Sequence, residues 1–335
     1  MSAQGQPLLQ VRDLATEFAT RAGVARAVDG VSFDVHAGEI VGLVGESGSG
    51  KSVTGYSILG LIDAPGRIVG GSVKFDGQEL VGLANHRLRT LRGRRMAMVF
   101  QDPMSTLNAV LKVSEQMQLA LLAHGRPSAA EMRQRCIDAL TKVGIPDPER
   151  RLDAYPHELS GGMRQRVAIA IAFLNHPALV ICDEPTTALD VSIQAQILVE
   201  MKTLVREAGV SLVWISHDLA TVSVLASRLL VMYAGRLIEQ GPTAEVLRRP
   251  RHPYTQGLID SLPSRAAPGR DLLQIPGATP SLTALPTGCA FKERCGYASS
   301  ACDVAPEQTF EPPRIWRCHH PLNIGAKSAT AETAA

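Results

Sequence analysis

The feature that most restricts how this chain can fold is one octapeptide, Gly45-Glu46-Ser47-Gly48-Ser49-Gly50-Lys51-Ser52. It follows an apolar run of strand length, Ile40 to Val44, and leads into a segment that reads as helix. Glycines let backbone N–H groups curl around an anion, and the helix start turns its positive end toward the same point. Lys51 would reach β- and γ-phosphates, and the Ser52 hydroxyl would ligate Mg²⁺. Gly45, Ser47, Gly48, Ser49, Gly50 and Val53 complete the candidate contact set. The plainer reading is a flexible glycine loop with a chance lysine. The four fixed positions and the strand–helix context weigh against it.

That loop belongs in an α/β core, and the rest of the chain agrees. Short apolar runs recur at Met96 to Phe100, Leu179 to Cys182, Leu212 to Ile215 and Leu229 to Tyr233, most with a helical pattern nearby. Ile193, Ile197, Met201 and Leu204 share one face of a helix expected over Ile193 to Glu207, with Gly209 suited to its C-cap. Alternating strands and helices imply a largely parallel sheet. Before position 40 the texture is different. Val31, Phe33 and Val35 alternate with polar residues, and Val73 and Phe75 repeat the pattern up to the turn pair Asp76-Gly77, so an antiparallel β portion is expected there.

From about 105 to 155 no strand signal remains, and this stretch reads as a helical insertion. After about 260, eight prolines between Pro263 and Pro313 exclude a long helix. The closing GAKSATAETAA is small and polar, with the composition of a disordered tail.

Two further motifs carry chemistry. The apolar strand Leu179 to Cys182 ends in Asp183-Glu184. An acid at the end of a neighbouring strand suits the Mg²⁺ shell, which is the role for Asp183. Glu184, one residue on, suits the orientation or deprotonation of attacking water. Leu159-Ser160-Gly161-Gly162-Met163-Arg164-Gln165-Arg166 opens a second helix with Ser160 as N-cap, a second helix start able to meet an anion.

That last motif closely resembles the signature of ATP-binding cassette (ABC) ATPases. The resemblance covers roughly residues 5 to 325. It implies an α/β cassette with an antiparallel β subdomain, a helical insertion and a small cysteine-containing C-terminal domain. The corresponding bounds are a nucleotide-binding domain over 5–260, with the insertion at about 105–175, a Pro-rich four-cysteine domain over 261–323 and a tail over 324–335. It implies ATP and Mg²⁺ as ligands, with Ser160, Gly161 and Gly162 facing the phosphate loop of a second cassette in a dimer. Gln101, in Val99-Phe100-Gln101-Asp102-Pro103, matches the glutamine loop that senses Mg²⁺ and the γ-phosphate. Ala188-Leu189-Asp190 matches the loop that crosses the dimer interface, and His217, in Trp214-Ile215-Ser216-His217-Asp218, matches the switch histidine. Phe18 stands where the family stacks an aromatic on adenine, and a core role is the alternative.

Phe100-Gln101-Asp102-Pro103-Met104 and His252-Pro253-Tyr254-Thr255 narrow the resemblance to the ATPase subunits of oligopeptide and dipeptide importers. The family often has proline after Leu107-Asn108, where this chain has Ala109. The implied partners are two transmembrane permeases, a second, related ATPase and, indirectly, an external substrate-binding protein. The implied place is the cytoplasmic face of a membrane. Import of nickel or another small solute, and a soluble non-transport ABC ATPase, are the competing readings.

Four of the six cysteines, Cys289, Cys295, Cys302 and Cys318, fall in the Pro-rich C-terminal stretch. Such a stretch cannot easily bury a core of its own, so a metal could organise it. Four thiolates suit zinc or an iron–sulfur cluster, and the spacing lacks the tight pairs of zinc ribbons. The family resemblance implies a [4Fe-4S] cluster, with zinc or free thiols as alternatives. His319 and His320 are possible competing ligands or plain surface residues. Cys136 and Cys182 read as packed thiols.

Composition excludes other classes. With 34 Lys+Arg against 32 Asp+Glu, the net charge of +2 is too small for a mainly electrostatic nucleic-acid binder. The basic run Arg87, Arg89, Arg92, Arg94 and Arg95 reads as a solvated helix beside acidic neighbours. No apolar run reaches the roughly 18 residues that span a bilayer, and no secretory signal is read at the N-terminus.

Overall fold

A computed structural model of the chain describes residues 6–187, 189–265 and 273–324. The strands are β1 (Leu9–Thr20), β2 (Gly23–Val35), β3 (Ile40–Val44), β4 (Gly66–Phe75), β5 (Gln78–Glu79), β6 (Met96–Val99), β7 (Leu179–Asp183), β8 (Ser211–Ser216), β9 (Arg228–Tyr233), β10 (Arg236–Pro242), β11 (Thr309–Glu311) and β12 (Arg314–Trp316). The α-helices are α1 (Lys51–Leu59), α2 (Asn85–Leu91), α3 (Pro103–Thr106), α4 (Val113–Leu122), α5 (Ala129–Lys142), α6 (Pro148–Leu152), α7 (Gly161–Phe173), α8 (Val191–Ala208), α9 (Leu219–Leu225), α10 (Thr243–Arg248) and α11 (Pro253–Asp260).

Strands β9-β3-β8-β7-β6 form the expected parallel array, with β10 and then the β11–β12 hairpin added antiparallel at one edge. Every residue of β7 and β8 is buried, as parallel strands covered on both faces require. The period of two then sorts their side chains between two cores. Leu179, Ile181, Val213 and Ile215 join the cluster under the N-terminal sheet, whereas Val180, Cys182, Leu212 and Trp214 face the helices. The antiparallel sheet β2-β1-β4-β5 contributes Val31, Phe33, Val35, Val73 and Phe75 to the first of these cores.

Helices α4 to α7 lie in the insertion between β6 and β7, which nevertheless pair directly, Met96 opposite Leu179. The helix expected over Ile193 to Glu207 is α8. Ile197, Met201, Leu204 and Val205 are buried, and Gly209 closes it at φ +63° with its amide on the Val205 carbonyl. Arg92, read from sequence as one of a solvated run, instead closes α1. Its guanidinium donates to the carbonyls of Leu59, at 2.7 Å, and Gly60. Cys136 and Cys182 are buried, and burial pushes the Cys136 thiol up to about 11.

The C-terminal segment is stitched to the cassette. Strand β12 pairs with β10, Trp316 opposite Glu239, and the Arg314 guanidinium meets the fully buried Glu239 carboxylate. That carboxylate also accepts the amides of Arg251, at 2.8 Å, and His252, at 2.9 Å. Phe291 is buried among Tyr233, Tyr254 and His252. After α11 the described residues form only short 3₁₀ turns and this hairpin, as the prolines require. The expected disordered tail lies outside the described residues beyond Ile324. No helix among the described residues is long and apolar enough to cross a membrane.

Candidate active site

The phosphate loop joins β3 to α1. Gly50 adopts φ +102°, and a Cβ there would fall 2.1 Å from the Ala27 carbonyl oxygen, so only glycine lets the loop lie against the start of the N-terminal sheet. Lys51 is buried, and its ammonium donates to the carbonyls of Gly45 at 2.8 Å and Glu46 at 2.9 Å. Burial lowers its pKa, while the carboxylates of Glu184, Asp183 and Glu46 act in the opposite direction.

The end of β7 brings the acids to this loop. The Ser52 hydroxyl donates to Asp183 Oδ1 at 2.8 Å, and the Tyr56 hydroxyl to Oδ2 at 3.2 Å. Burial raises the Asp183 pKa, and the two hydrogen bonds oppose that shift. A hydroxyl and a carboxylate side by side are hard oxygen donors of the kind Mg²⁺ takes. Glu184 turns away from the strand at φ +45°, its amide on the Ile215 carbonyl at 2.9 Å. One carboxylate oxygen, Oε2, meets Gln101 Nε2, Thr187 Oγ1 and His217 Nδ1, each at 3.1 Å. Two separate segments, at Gln101 and His217, and the turn that follows Glu184 itself therefore converge on a carboxylate whose side chain is only 13% exposed.

Gly45, Ser47, Gly48, Gly50, Lys51, Ser52, Val53, Gln101, Glu184 and His217 thus line one cavity of about 640 Å³. Ser49 is buried beneath the loop. Asp183 stands behind Ser52. A second cavity, of about 260 Å³, lies between α5, α7 and α8 and shares none of these residues. Phe18 lies outside the lining of the first cavity. It is half-buried on β1, beside the Gly66 backbone.

Two expected groups lie elsewhere on the same chain. Ser160 caps α7, its hydroxyl accepting the Met163 amide at 3.3 Å, with Gly161 and Gly162 in the first turn. A Cβ on Gly162 would meet Ile193 at 2.9 Å, which sets how closely α7 approaches α8. Asp190 caps α8 by accepting the Ile193 amide at 3.0 Å. Hydrogen bonds from the Ser192 hydroxyl and then this amide lower its pKa. Both caps are exposed, and neither lines the cavity around the phosphate loop. Ala188, from the same expected loop, lies outside the described residues.

The sequence reading missed several participants. Thr187 and Tyr56 had no motif to mark them. Ala27, Glu46, Leu258 on α11 and Leu282 from the C-terminal segment complete the cavity wall. Tyr254 lay within a quoted motif without a role, and its hydroxyl accepts the Glu46 amide at 2.8 Å.

The four C-terminal cysteines are free thiols, and the expected metal site is not preformed. Among the described residues no group of three or more His, Cys, Asp or Glu is arranged to hold a metal ion. Burial raises the Cys289 and Cys295 pKa values and pushes Cys318 up to about 12. His319 is bonded to the Val304 carbonyl and His320 to the Ser299 hydroxyl, and both are spent on local contacts.

Comparison with known proteins now bears on this geometry. Residues 28–187 match the ABC transporter family, and residues 238–302 match the oligopeptide/dipeptide transporter C-terminal region. The oligopeptide transport ATP-binding protein OppD of Escherichia coli is 45% identical over 320 residues, 95% of each chain. The chain belongs to the ABC transporter family. The dipeptide transport ATP-binding protein DppD of the same organism is likewise 45% identical, covering 94% of this chain and 97% of that one. Among solved structures, the dimeric post-hydrolysis state of the ATP-binding cassette MJ0796, bound to ADP and Pi, matches 70% of this chain and 98% of its own at TM-score 0.64 and 27% identity. The cassette cbiO1 of Clostridium perfringens matches 73% of this chain and 92% of its own at TM-score 0.62 and 28% identity. The chain is an ATPase of this family, and its α/β cassette with an antiparallel β subdomain is the family fold.

Proposed function

We propose that this chain is the ATP-hydrolysing subunit of a membrane importer for dipeptides and oligopeptides. The observation that carries the reading is the Glu184 carboxylate, which gathers Gln101, Thr187 and His217 beside an intact phosphate loop. Full-length similarity to OppD and DppD supplies the substrate class. Lys51 and the loop amides hold the phosphates, with Ser52, Asp183 and Gln101 around Mg²⁺. Glu184 orients and deprotonates the attacking water, and His217 contacts the γ-phosphate while tied to Glu184. Phe18, on β1 beside the Gly66 backbone and outside the lining of the phosphate cavity, is the aromatic that the family resemblance assigns to adenine. Ser160, Gly161, Gly162 and Asp190 face the phosphates of the partner cassette, which accounts for two capped helix starts left exposed on one chain.

Catalysis is then positioning and charge neutralisation at an interface between two cassettes. Closure around ATP pulls on two permeases at the cytoplasmic face of the membrane, and hydrolysis resets them. The second cassette is a related chain, and an external binding protein delivers the peptide. Extraction of membranes with mild detergent is expected to recover this chain with two multi-spanning permeases and a second ATPase. Recovery only from the soluble fraction, alone or with ribosomes or nucleic acid, would overturn the transporter reading. Permeases of a nickel system would overturn the peptide assignment alone.

Cys289, Cys295, Cys302 and Cys318 are the residues that would hold a [4Fe-4S] cluster. One feature supports it. The Cys295 and Cys318 sulfurs accept backbone amides, from Tyr297 at 3.4 Å and His320 at 3.3 Å, as cluster sulfurs commonly do. Bound, a cluster supplies a cross-link in a segment with little core of its own. Anaerobic purification is expected to yield iron and acid-labile sulfide at about four each per chain. Zinc without sulfide is the contrary result.

A further inference from the structure

The phosphate loop has a second anchor, outside the cassette. Arg294, in the 3₁₀ turn Lys292–Arg294 of the C-terminal segment, makes a two-pronged contact with the Glu46 carboxylate, Nη1 to Oε2 at 2.7 Å and Nη2 to Oε1 at 2.9 Å. This side-by-side geometry is the strongest form of Arg–carboxylate pairing. It is shielded, with the Arg294 side chain 6% exposed and Glu46 30%. Nothing in the arrangement leaves Arg294 free to turn. Its Nε donates to the Pro276 carbonyl at 2.8 Å, Nη1 also reaches the Tyr233 hydroxyl at 3.3 Å, and the guanidinium lies over the rings of Tyr233 and Phe291.

Glu46 is in turn part of the loop that must hold phosphates. Its amide is held by Tyr254 and its carbonyl by Lys51, so its side chain, amide and carbonyl are each fixed by a different element. The same C-terminal segment also places Leu282 in the wall of the cavity. We propose that Arg294 is a positioning residue for nucleotide binding, acting through Glu46, and that the C-terminal segment thereby sets the affinity of the phosphate loop. A loop already held in its binding shape loses less freedom when the nucleotide arrives. The hydrogen bonds of the Glu184 carboxylate go to Gln101, Thr187 and His217 and not to Glu46 or Arg294, so the effect falls on binding and not on the chemical step.

This inference rests on the nucleotide-site reading, and a control separates the two. In the full-length chain, MgATP binding is titrated and hydrolysis is measured at saturating MgATP for wild type, Glu46→Gln, Arg294→Gln, Arg294→Lys and the double variant Glu46→Gln/Arg294→Gln. Each Gln single variant is expected to weaken MgATP binding about tenfold, the equivalent of one decade in Kd, with kcat within about twofold of wild type. The double variant is expected to lose no more than a single, because both residues act through one contact. Arg294→Lys keeps the charge without the fork, and is expected to recover only part of the loss. Glu46→Gln leaves the buried Arg294 in place and serves as the test if Arg294→Gln does not fold. Wild-type affinity in Glu46→Gln overturns the proposal. So do losses in the two singles that multiply in the double, or a fall confined to kcat. A wild-type chain that binds no MgATP refutes the nucleotide-site reading itself.

Discussion

Glu184→Gln is expected to bind MgATP as tightly as wild type while hydrolysing it at least about a hundredfold more slowly, since positioned general-base catalysis contributes roughly 10²–10⁴. The local structure makes this a clean substitution. Glutamine has the shape of glutamate, and its amide oxygen can still accept from Gln101 and Thr187. The strained turn at φ +45° is a property of the backbone and is unchanged. Only the capacity to take a proton is lost. The partners of Oε2 are Gln101 and His217, from two other segments, and Thr187, from the turn that follows Glu184, so the carboxylate is oriented by protein groups. Steady-state phosphate release and an ATP titration on the same preparation are the two measurements. Near-wild-type release removes Glu184 from its role, and loss of binding shows that the substitution disturbed the loop instead.

Lys51→Ala should weaken MgATP binding by about a hundredfold and take hydrolysis at sub-saturating ATP down with it. Hydrogen bonds to charged groups contribute about 1.5–3 kcal/mol each, and Lys51 reaches two phosphates in the proposed complex. The structure adds a second cost. The ammonium also holds the carbonyls of Gly45 and Glu46, so alanine also releases the loop's own closure. A thermal melt run beside the titration tells the two apart. A folded variant with little change in melting temperature and unchanged MgATP affinity would exclude Lys51 as the phosphate ligand.

The contrast between these residues and Arg294 shows what could be read along the chain. Asp190 was named only through the family resemblance, whereas Lys51, Ser52 and Ser160 announce themselves because their chemistry is local. Each sits at a helix start whose unpaired amides demand a loop or cap within a few residues. Glu184 was found because it ends an apolar strand of the parallel sheet, and His217 by its resemblance to the family's switch histidine. Thr187 and Tyr56 were missed because a hydroxyl near a carboxylate has no spacing rule. Phe18 was placed against adenine by resemblance, and the structure sets it beside Gly66, off the lining of the cavity. The metal expectation for the cysteines came from composition and resemblance, which report ligand supply but not how close the sulfurs lie.

Local order thus determined the sheet class, the phosphate loop, the helix caps and the acid pair, because each depends on backbone chemistry within a few residues. Tertiary structure alone decided which distant groups close on them. Glu46 and Arg294 are 248 residues apart in sequence and 2.7 Å apart in space. The β11–β12 hairpin completes a sheet begun at β3, and Leu282 walls a cavity whose floor is Lys51. No periodicity in the chain encodes such pairings. They arise because burying Phe291 against Tyr233 and Tyr254 carries the whole C-terminal segment, with Arg294 next to its cysteine, onto the phosphate loop.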